Sequence, residues 1–448
     1  MTQLKKEIGL YGLTMVAIGS CIGSGIFLTP GQIAANMTTP FLILAVWAVG
    51  GLVTLTGALT FAELGAMFPQ AGGVYVYLKE AYGDLLGFLY GWAYLLVITS
   101  GAIAALSIAF ATYLDFLIPL GKTGITAVAI VSIICLTIIN IIRVKAGEIF
   151  SNIFTGLKLI GVAGIVVMGL FFGNPGLINQ TQKSTASPGT LISAFGLALI
   201  GVLWSYGGWQ HASFLAGEVK NARRTVPKAM IIGALTVTSA YLLINLAYLF
   251  LLPIDQMAAS ESVAADAIKT IFPFGGSLIA AVIAVSVIGT AGIYTLSAPR
   301  IYFAMARDGL FFSKLTKVHD RFRTPINAIL IQSGWAIILL LFWGTFEDVI
   351  TYVAFTDWIF FGLTAFAVFI FRRSRKSMKR PYKTTGYPFT PAIFIGITIF
   401  FVINTLIEKP LQAWVGLLLM LMGTALFFYF KKKRPPAGGA PMLRKPFV

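Results

Sequence analysis

The stretch Gly19-Ser20-Cys21-Ile22-Gly23-Ser24-Gly25 lies in the middle of the first hydrophobic segment of the chain, which covers residues 9–34. Its three glycines and two serines are poor helix formers. In lipid every backbone N–H and C=O must find a partner, so a break at this depth must be packed in protein or face a polar cavity. The segment therefore predicts a broken helix whose free backbone groups suit a small charged molecule.

The composition excludes a soluble fold. Of the 448 residues, 58% are hydrophobic and 11% are charged, whereas soluble domains carry about 25% charged residues. At about 20 residues per crossing, twelve segments are candidates: 9–34, 40–67, 83–113, 123–142, 151–172, 191–216, 227–252, 275–305, 325–342, 346–371, 387–406 and 411–430. The sequence predicts an all-α membrane protein with twelve transmembrane helices.

The net charge of +17 follows the predicted topology. Alternate connections between segments divide the 33 Lys and Arg residues unequally, with both termini on the basic side. The other side holds only Lys122, Lys183, Lys269 and Lys409. By the positive-inside rule we expect both termini in the cytoplasm of a multi-pass plasma-membrane protein, and no nucleic-acid partner. No cleavable signal peptide is evident, because the first hydrophobic segment is longer than the hydrophobic region of a signal peptide.

A second break is predicted in the sixth segment, at Trp204-Ser205-Tyr206-Gly207-Gly208-Trp209. Broken segments at matching positions of two halves are typical of transporters built from inverted repeats, with the site at the midplane. The alternative is that these glycines only let helices pack closely. The expected organisation is one transporter domain over 1–430, with repeats over about 9–172 and 191–371, peripheral helices over about 387–430 and a basic cytoplasmic tail over 431–448.

The two breaks together offer opposite poles to a ligand. Because a helix N-terminus attracts anions, we expect the N–H groups of Gly23, Ser24 and Gly25 to bind a carboxylate. An ammonium group would suit the carbonyls beside the breaks, which belong to Cys21, Ile22, Trp204 and Gly207. Both poles in one pocket, with Ser205 in the second break, indicate a free α-amino acid.

Two charged residues lie inside predicted crossings. An intramembrane ammonium is costly unless it is paired or hydrated, so Lys158 in the fifth segment is a candidate for bracing helices or for carrying a proton. The alternative is snorkelling to the surface. Asp357 in the tenth segment could couple transport to protons, pair with a polar group or line a hydrated vestibule. Trp204, at the second break, is either a gate over the substrate or a core aromatic residue.

Enzymatic chemistry has no support in the sequence. The two histidines, His211 and His319, are isolated, and both cysteines lie in hydrophobic segments. We therefore expect neither a metal site nor a cofactor. Walker-type loops, nucleophile elbows and paired carboxylates are also missing from the sequence, so neither hydrolysis nor ATP-driven transport is expected. We expect Glu63 to anchor a loop and Glu218 to form a structural ion pair.

Several motifs together resemble the amino acid–polyamine–organocation superfamily, and within it a prokaryotic-like member of the L-type amino acid transporter branch. They are Ile22-Gly23-Ser24-Gly25-Ile26-Phe27, Phe61-Ala62-Glu63-Leu64-Gly65, Gly72-Gly73-Val74-Tyr75, Tyr206-Gly207-Gly208-Trp209, Glu218-Val219-Lys220-Asn221, Ser297-Ala298-Pro299-Arg300 and Ala306-Arg307-Asp308-Gly309. The resemblance implies the five-plus-five inverted repeat of the LeuT-like fold, with helices 1 and 6 broken and helices 11 and 12 outside the repeats.

The resemblance also implies roles for individual residues. Ser24 and Gly25 would take the substrate carboxylate, and Trp204 would be the proximal gate. The carbonyls implied for the amine are those of Cys21, Ile22, Trp204 and Gly207. Lys158 matches the lysine that stands roughly where a sodium ion sits in sodium-coupled relatives, and it would reach the Gly19 carbonyl and the Thr290 hydroxyl.

Two departures from the family pattern bear on partners and coupling. The loop over residues 115–124 has no cysteine, so the disulfide that joins animal relatives to a glycoprotein heavy chain is not expected there. Asp357 stands where many relatives have a neutral residue. The sequence thus predicts sodium-independent exchange of neutral L-amino acids by alternating access; the alternatives are proton-coupled symport and a membrane sensor that does not transport.

Overall fold

The chain folds into a bundle of helices in which two membrane-length segments are interrupted. The computed structural model describes residues 4–37, 39–179, 188–342 and 346–433, so most of the predicted tail over 431–448 lies outside the described residues. The described part contains nineteen α-helices and no β-strand. Its only β-type pairing is an isolated bridge between Ile8 and Val219.

The helices follow one another along the chain with short connections. They are α1 (Leu10–Cys21), α2 (Gly25–Asn36), α3 (Pro40–Met67), α4 (Val74–Tyr82), α5 (Asp84–Ala93), α6 (Thr99–Asp115), α7 (Gly121–Ile142), α8 (Val144–Phe172), α9 (Pro188–Tyr206), α10 (His211–Phe214), α11 (Ala222–Leu251), α12 (Ile254–Ala259), α13 (Val263–Lys269), α14 (Gly275–Ser297), α15 (Pro299–Arg307), α16 (Ile326–Phe342), α17 (Phe346–Ser374), α18 (Phe389–Glu408) and α19 (Pro410–Lys433).

Membrane-length helices dominate this architecture. In the described part of the chain, ten helical segments are long and apolar enough to cross a membrane. The other two predicted segments coincide with shorter apolar helices, Leu191–Tyr206 and Ile326–Phe342. The prediction of an all-helical membrane protein is confirmed.

The predicted break in the first segment is confirmed, and it is shorter than the glycine-rich stretch. Gly19, Ser20 and Cys21 still belong to α1, and the helix is interrupted only at residues 22–24. Ser20 Oγ lies 2.7 Å from the Val16 carbonyl, so its hydroxyl group folds back onto the helix. The centre of the bundle forms around this break, where α1 packs against α8, α11 and α14.

The sixth segment differs more from its prediction, which carried a helix to residue 216. Here α9 ends at Tyr206, and the chain then turns through residues 207–210 into the short α10 and a 3-10 turn, Ala216–Glu218. Gly208 has φ +129°, a conformation that few residues other than glycine adopt. A helix could not continue through this residue.

Helix α8 begins at Val144, seven residues before the predicted start at 151. Residues 144–151 contain no proline, and Glu148 in this turn is buried and bonded to Lys145 Nζ at 2.9 Å. At 1.5 Å per residue, Lys158 lies about 20 Å from the start of its helix. This distance is too long for its side chain to reach the helix end.

The third segment also differs from the continuous helix predicted for it. Five residues, Tyr94–Ile98, form a π-helical turn between α5 and α6. Such turns inside membrane-length helices widen the backbone and often mark functional sites. Tyr94 and Ile98 face the interior of the bundle.

Buried ion pairs tie down the more basic end of the molecule. Glu63 accepts from Arg372 Nη2 and from the backbone N–H of Thr384, both at 2.7 Å, which confirms that it anchors a loop. Glu218 forms the expected ion pair with an unexpected partner. Arg300, on α15, donates two bonds of 2.9 Å to it, and neither side chain is exposed.

Candidate functional site

The break between α1 and α2 exposes hydrogen-bond donors. The backbone N–H groups of Ser24, Gly25 and Ile26 have no acceptor among the described residues. Ser24 Oγ is buried and also lacks a partner there. By contrast, Gly23 N–H already donates to the Cys21 carbonyl at 2.8 Å. The free donors at the start of α2 therefore begin one residue later than predicted.

The carbonyl groups predicted to bind the substrate ammonium differ in how many hydrogen bonds they already accept from the protein. Two hydroxyl oxygens, Ser286 Oγ and Thr290 Oγ1, lie 3.1 and 3.0 Å from the Ile22 carbonyl. The Trp204 carbonyl accepts one bond, from Gly207 N–H at 3.1 Å. The Gly207 carbonyl has no donor among the described residues. It is the most available acceptor of the four predicted.

A small cavity lies between the two breaks. It is lined by most of the predicted binding residues, which are Cys21, Gly23, Ser24, Gly25, Trp204, Ser205 and Gly207, and by Thr290, the predicted partner of Lys158. Ser20, Leu106 and Tyr294 complete the lining. Ile22, Gly19, Lys158 and Asp357 do not line this cavity. The free donors at the start of α2 and the free carbonyl of Gly207 thus belong to residues that line one cavity.

Lys158 lies beside this cavity and is fully buried. Its Nζ donates to the Gly19 carbonyl and to Thr290 Oγ1, both at 2.7 Å. The two contacts join α8 to α1 and α14 just below the break. Snorkelling is excluded, because the ammonium group is bonded inside the bundle. No carboxylate lies within salt-bridge distance of Lys158 in the described part of the chain.

Trp204 stands between two cavities. It is partly buried and lines both the cavity at the breaks and a second, neighbouring cavity. Asp357 lines this second cavity, so the structure separates it from the backbone groups of the breaks. The position of Trp204 is suited to a gate, a role that stays a prediction.

Sequence reasoning missed a residue that joins the breaks, Tyr241 on α11. Its hydroxyl group lies 2.9 Å from both the Cys21 and Ser205 carbonyls. Its ring packs against Trp47 and Tyr206, with centroids 5.5 and 4.9 Å away. A lone tyrosine in an apolar helix carries no signal of this role. Ser286 could have been found, since it precedes Thr290 by one helical turn on an apolar helix.

Replacing Tyr241 by phenylalanine is expected to lower the free energy of unfolding by about 1–3 kcal/mol, because the Ser205 carbonyl is left buried without a donor. The ring contacts remain, so the loss reports the hydroxyl group alone. Thermal unfolding in detergent measures it. The matched control is Tyr11→Phe, at a residue that is 67% exposed. Equal melting temperatures for Tyr241→Phe and the unmodified protein would contradict the bridging role.

His211, which the sequence left isolated, belongs to a buried polar network. Its Nδ1 lies 2.6 Å from Ser297 Oγ, and its Nε2 lies 3.1 Å from the Tyr94 hydroxyl of the π-helical turn. The imidazole ring stacks on Tyr294 at 4.3 Å. Both ring nitrogens therefore have protein partners. In the part of the chain that the structure describes, no group of three His, Cys, Asp or Glu residues could hold a metal ion.

Comparisons with known proteins match this chain to amino acid transporters. The family described as "Amino acid permease" matches residues 8–427. The chain is 37% identical over 426 residues to the serine/threonine exchanger SteT of Bacillus subtilis, covering 94% of this chain and 95% of that protein.

Two human proteins show similar coverage. The b(0,+)-type amino acid transporter 1 of Homo sapiens is 31% identical, over 91% of this chain and 84% of that protein. The Asc-type amino acid transporter 1 of Homo sapiens is 30% identical, over 94% and 80%. The similarity thus spans both broken segments and both cavities.

Proposed function

The chain belongs to the amino acid permease family of the amino acid–polyamine–organocation superfamily, and from this membership we propose a sodium-independent exchanger of neutral L-amino acids. It is a multi-pass membrane transporter of amino acids and not an enzyme. The proposal concerns its substrate class, its coupling and the residues that bind. Exchange is the activity in the name of SteT, with which it shares 37% identity.

The observation that carries the proposal is the cavity between the breaks. The substrate carboxylate would accept hydrogen bonds from Ser24 Oγ and from the N–H groups of Ser24 and Gly25, which have no other acceptor among the described residues. The positive end of the α2 dipole favours the same group. The ammonium group would donate to the Gly207 carbonyl, which has no donor there. The Trp204 carbonyl would complete this pole. The predicted carbonyls of Cys21 and Ile22 already accept from protein donors, and Ile22 does not line the cavity.

Sodium independence is supported by Lys158. Its ammonium group already bonds the Gly19 carbonyl and Thr290 Oγ1 at 2.7 Å. A fixed positive charge at these oxygens would repel a second cation and would leave it fewer ligands. The proposed transport cycle would therefore not use a sodium ion at this position.

The architecture we propose has twelve crossings in the LeuT-like five-plus-five arrangement. The ten membrane-length segments and the two shorter helices would supply the twelve, and the breaks at 22–24 and 207–210 would occupy matching positions of the two repeats. Both termini would lie in the cytoplasm, and the protein would reside in the plasma membrane. A disulfide-linked heavy chain is not part of the proposal, since residues 115–124 contain no cysteine.

Uptake by proteoliposomes of the purified protein tests exchange. Vesicles preloaded with an unlabelled neutral amino acid are expected to take up labelled substrate several-fold faster than empty vesicles, equally in sodium and in choline buffer. Protein-free vesicles are the control. Accumulation in empty vesicles under a pH gradient would establish proton symport, and binding without any uptake would establish a sensor. Dependence on sodium would contradict the assignment of Lys158.

A further inference from the structure

The second cavity contains one acid and is otherwise largely apolar. Of its fifteen lining residues, those that contribute most to its walls are aliphatic and aromatic, such as Ile98, Leu203 and Trp358. The polar exceptions include Gln210, His211 and Asp357. His211 is already bonded through both ring nitrogens. Asp357 is therefore the acid that a bound molecule would meet.

Asp357 has an unused hydrogen-bonding oxygen. The residue is only 8% exposed, and its Oδ1 is buried with no hydrogen-bond partner among the described residues. No described Lys or Arg lies within salt-bridge distance of it. Leaving a buried carboxyl oxygen unpaired is costly. A natural partner would come from a molecule inside the cavity.

The second cavity adjoins the cavity between the breaks. Trp204, Gly207 and Tyr294 line both. An amino acid held by its carboxylate and ammonium groups in the first cavity would have its Cα beside these shared residues. Its side chain would then extend toward Asp357.

We infer that the second cavity is the side-chain subsite, and that Asp357 selects amino acids whose side chain carries a hydrogen-bond donor. This inference rests on the proposed function, because it needs the backbone groups of the substrate in the first cavity. The donor is a hydroxyl or an ammonium group, since both complement a carboxyl oxygen. The expectation of a neutral substrate came from the absence of acids in the broken segments, and tertiary packing adds an acid that those segments lack.

Isosteric substrates test the subsite. L-Threonine and L-valine have nearly the same shape, but only threonine carries a hydroxyl group. A site built around a buried polar group rejects the analogue that cannot pair with it. We expect threonine to compete with labelled substrate at least about tenfold better than valine, which corresponds to about 1.4 kcal/mol. Equal competition by the two in the unmodified protein, together with weak competition by lysine, overturns the inference.

Two variants locate the selectivity at Asp357. Asp357→Leu keeps the branched shape of the side chain and replaces its two oxygens by methyl groups, so the threonine-to-valine ratio is expected to fall toward one. Asp357→Asn keeps a carbonyl acceptor and removes the acid, so it retains the preference for the hydroxyl group. Because each result is a ratio within one preparation, loss of active protein cancels. An unchanged threonine-to-valine ratio in Asp357→Leu overturns the inference. The matched control is Asp255→Asn, which changes an exposed acid outside both cavities.

Lysine separates the two kinds of donor. If the ligand group is an ammonium, lysine competes strongly with the unmodified protein and weakly with both Asp357 variants. If it is a hydroxyl, lysine competes weakly throughout and Asp357→Asn resembles the unmodified protein. Failure of the proposed function is distinct from either result, because it is read from the effect of preloading on uptake. The threonine-to-valine and lysine results are read from competition for binding.

Discussion

Lys158→Ala is expected to reduce amino acid exchange at least about 100-fold. The substitution removes two charge-assisted hydrogen bonds, each worth about 1.5–3 kcal/mol, and every 1.4 kcal/mol corresponds to about a factor of ten. The bonds end at Gly19 and Thr290, so their loss uncouples α8 from the break that holds the substrate. Initial rates of exchange in proteoliposomes, normalised to inserted protein, measure the effect.

The matched control is Lys228→Ala. Lys228 lies on the membrane-length helix α11, and its side chain is exposed, so its removal is expected to leave exchange unchanged. Wild-type rates for Lys158→Ala would refute a role of this lysine in transport. A variant that binds substrate normally and yet fails to exchange would place the role of Lys158 in the conformational change.

The largest effect on stability is expected from Gly208→Ala. A Cβ atom at this position would lie 2.5 Å from the Ser20 carbonyl carbon and oxygen, which are backbone atoms and cannot rotate away. The φ of +129° adds strain for any side chain. Overpacking costs about 1–3 kcal/mol and backbone strain a similar amount, so we expect a loss of about 2–6 kcal/mol. Thermal unfolding in detergent measures it.

Gly164→Ala is the control for Gly208→Ala, because it replaces a glycine by alanine without a steric clash. Gly164 lies within α8, and a Cβ atom there would meet nothing within 4 Å. This variant is expected to be neutral or up to about 1 kcal/mol more stable, because alanine favours a helix. Similar melting temperatures for the two variants would mean that the close approach at Gly208 is not required.

The existence of both breaks could be predicted because their cause is local. Glycines at 19, 23 and 25, and again at 207 and 208, weaken a helix whatever surrounds it. Their extent could not be predicted, since it depends on contacts from elsewhere. Ser20 stays helical while its Oγ lies 2.8 Å from the Gly208 carbonyl, which is 188 residues away in the sequence.

The backbone groups of the candidate site could be predicted from the sequence, but most of the side chains that hold those groups in place could not. Lys158 was found because an ammonium group inside a hydrophobic segment is exceptional. Tyr241 was not, because its acceptors lie 220 and 36 residues away and a tyrosine in an apolar helix is common. Arg300 was missed as the partner of Glu218 for the same reason, since lysines and arginines stand much nearer along the chain.

The residues that precede α1 are fastened to those that follow the second break. Glu7 and Ile8 both donate to the Glu218 carbonyl, at 2.9 and 3.0 Å, and Lys220 N–H returns a bond to Ile8 at 2.9 Å. Together with the bridges made by Ser20 and Tyr241, they make α1 and the segment after α9 a single mechanical unit. A conformational change at this end of the bundle would have to move α1 and the segment after α9 together, or break these hydrogen bonds at a cost of roughly 1 kcal/mol each. A label attached near residue 7 would therefore report the movement of the second break as faithfully as that of the first.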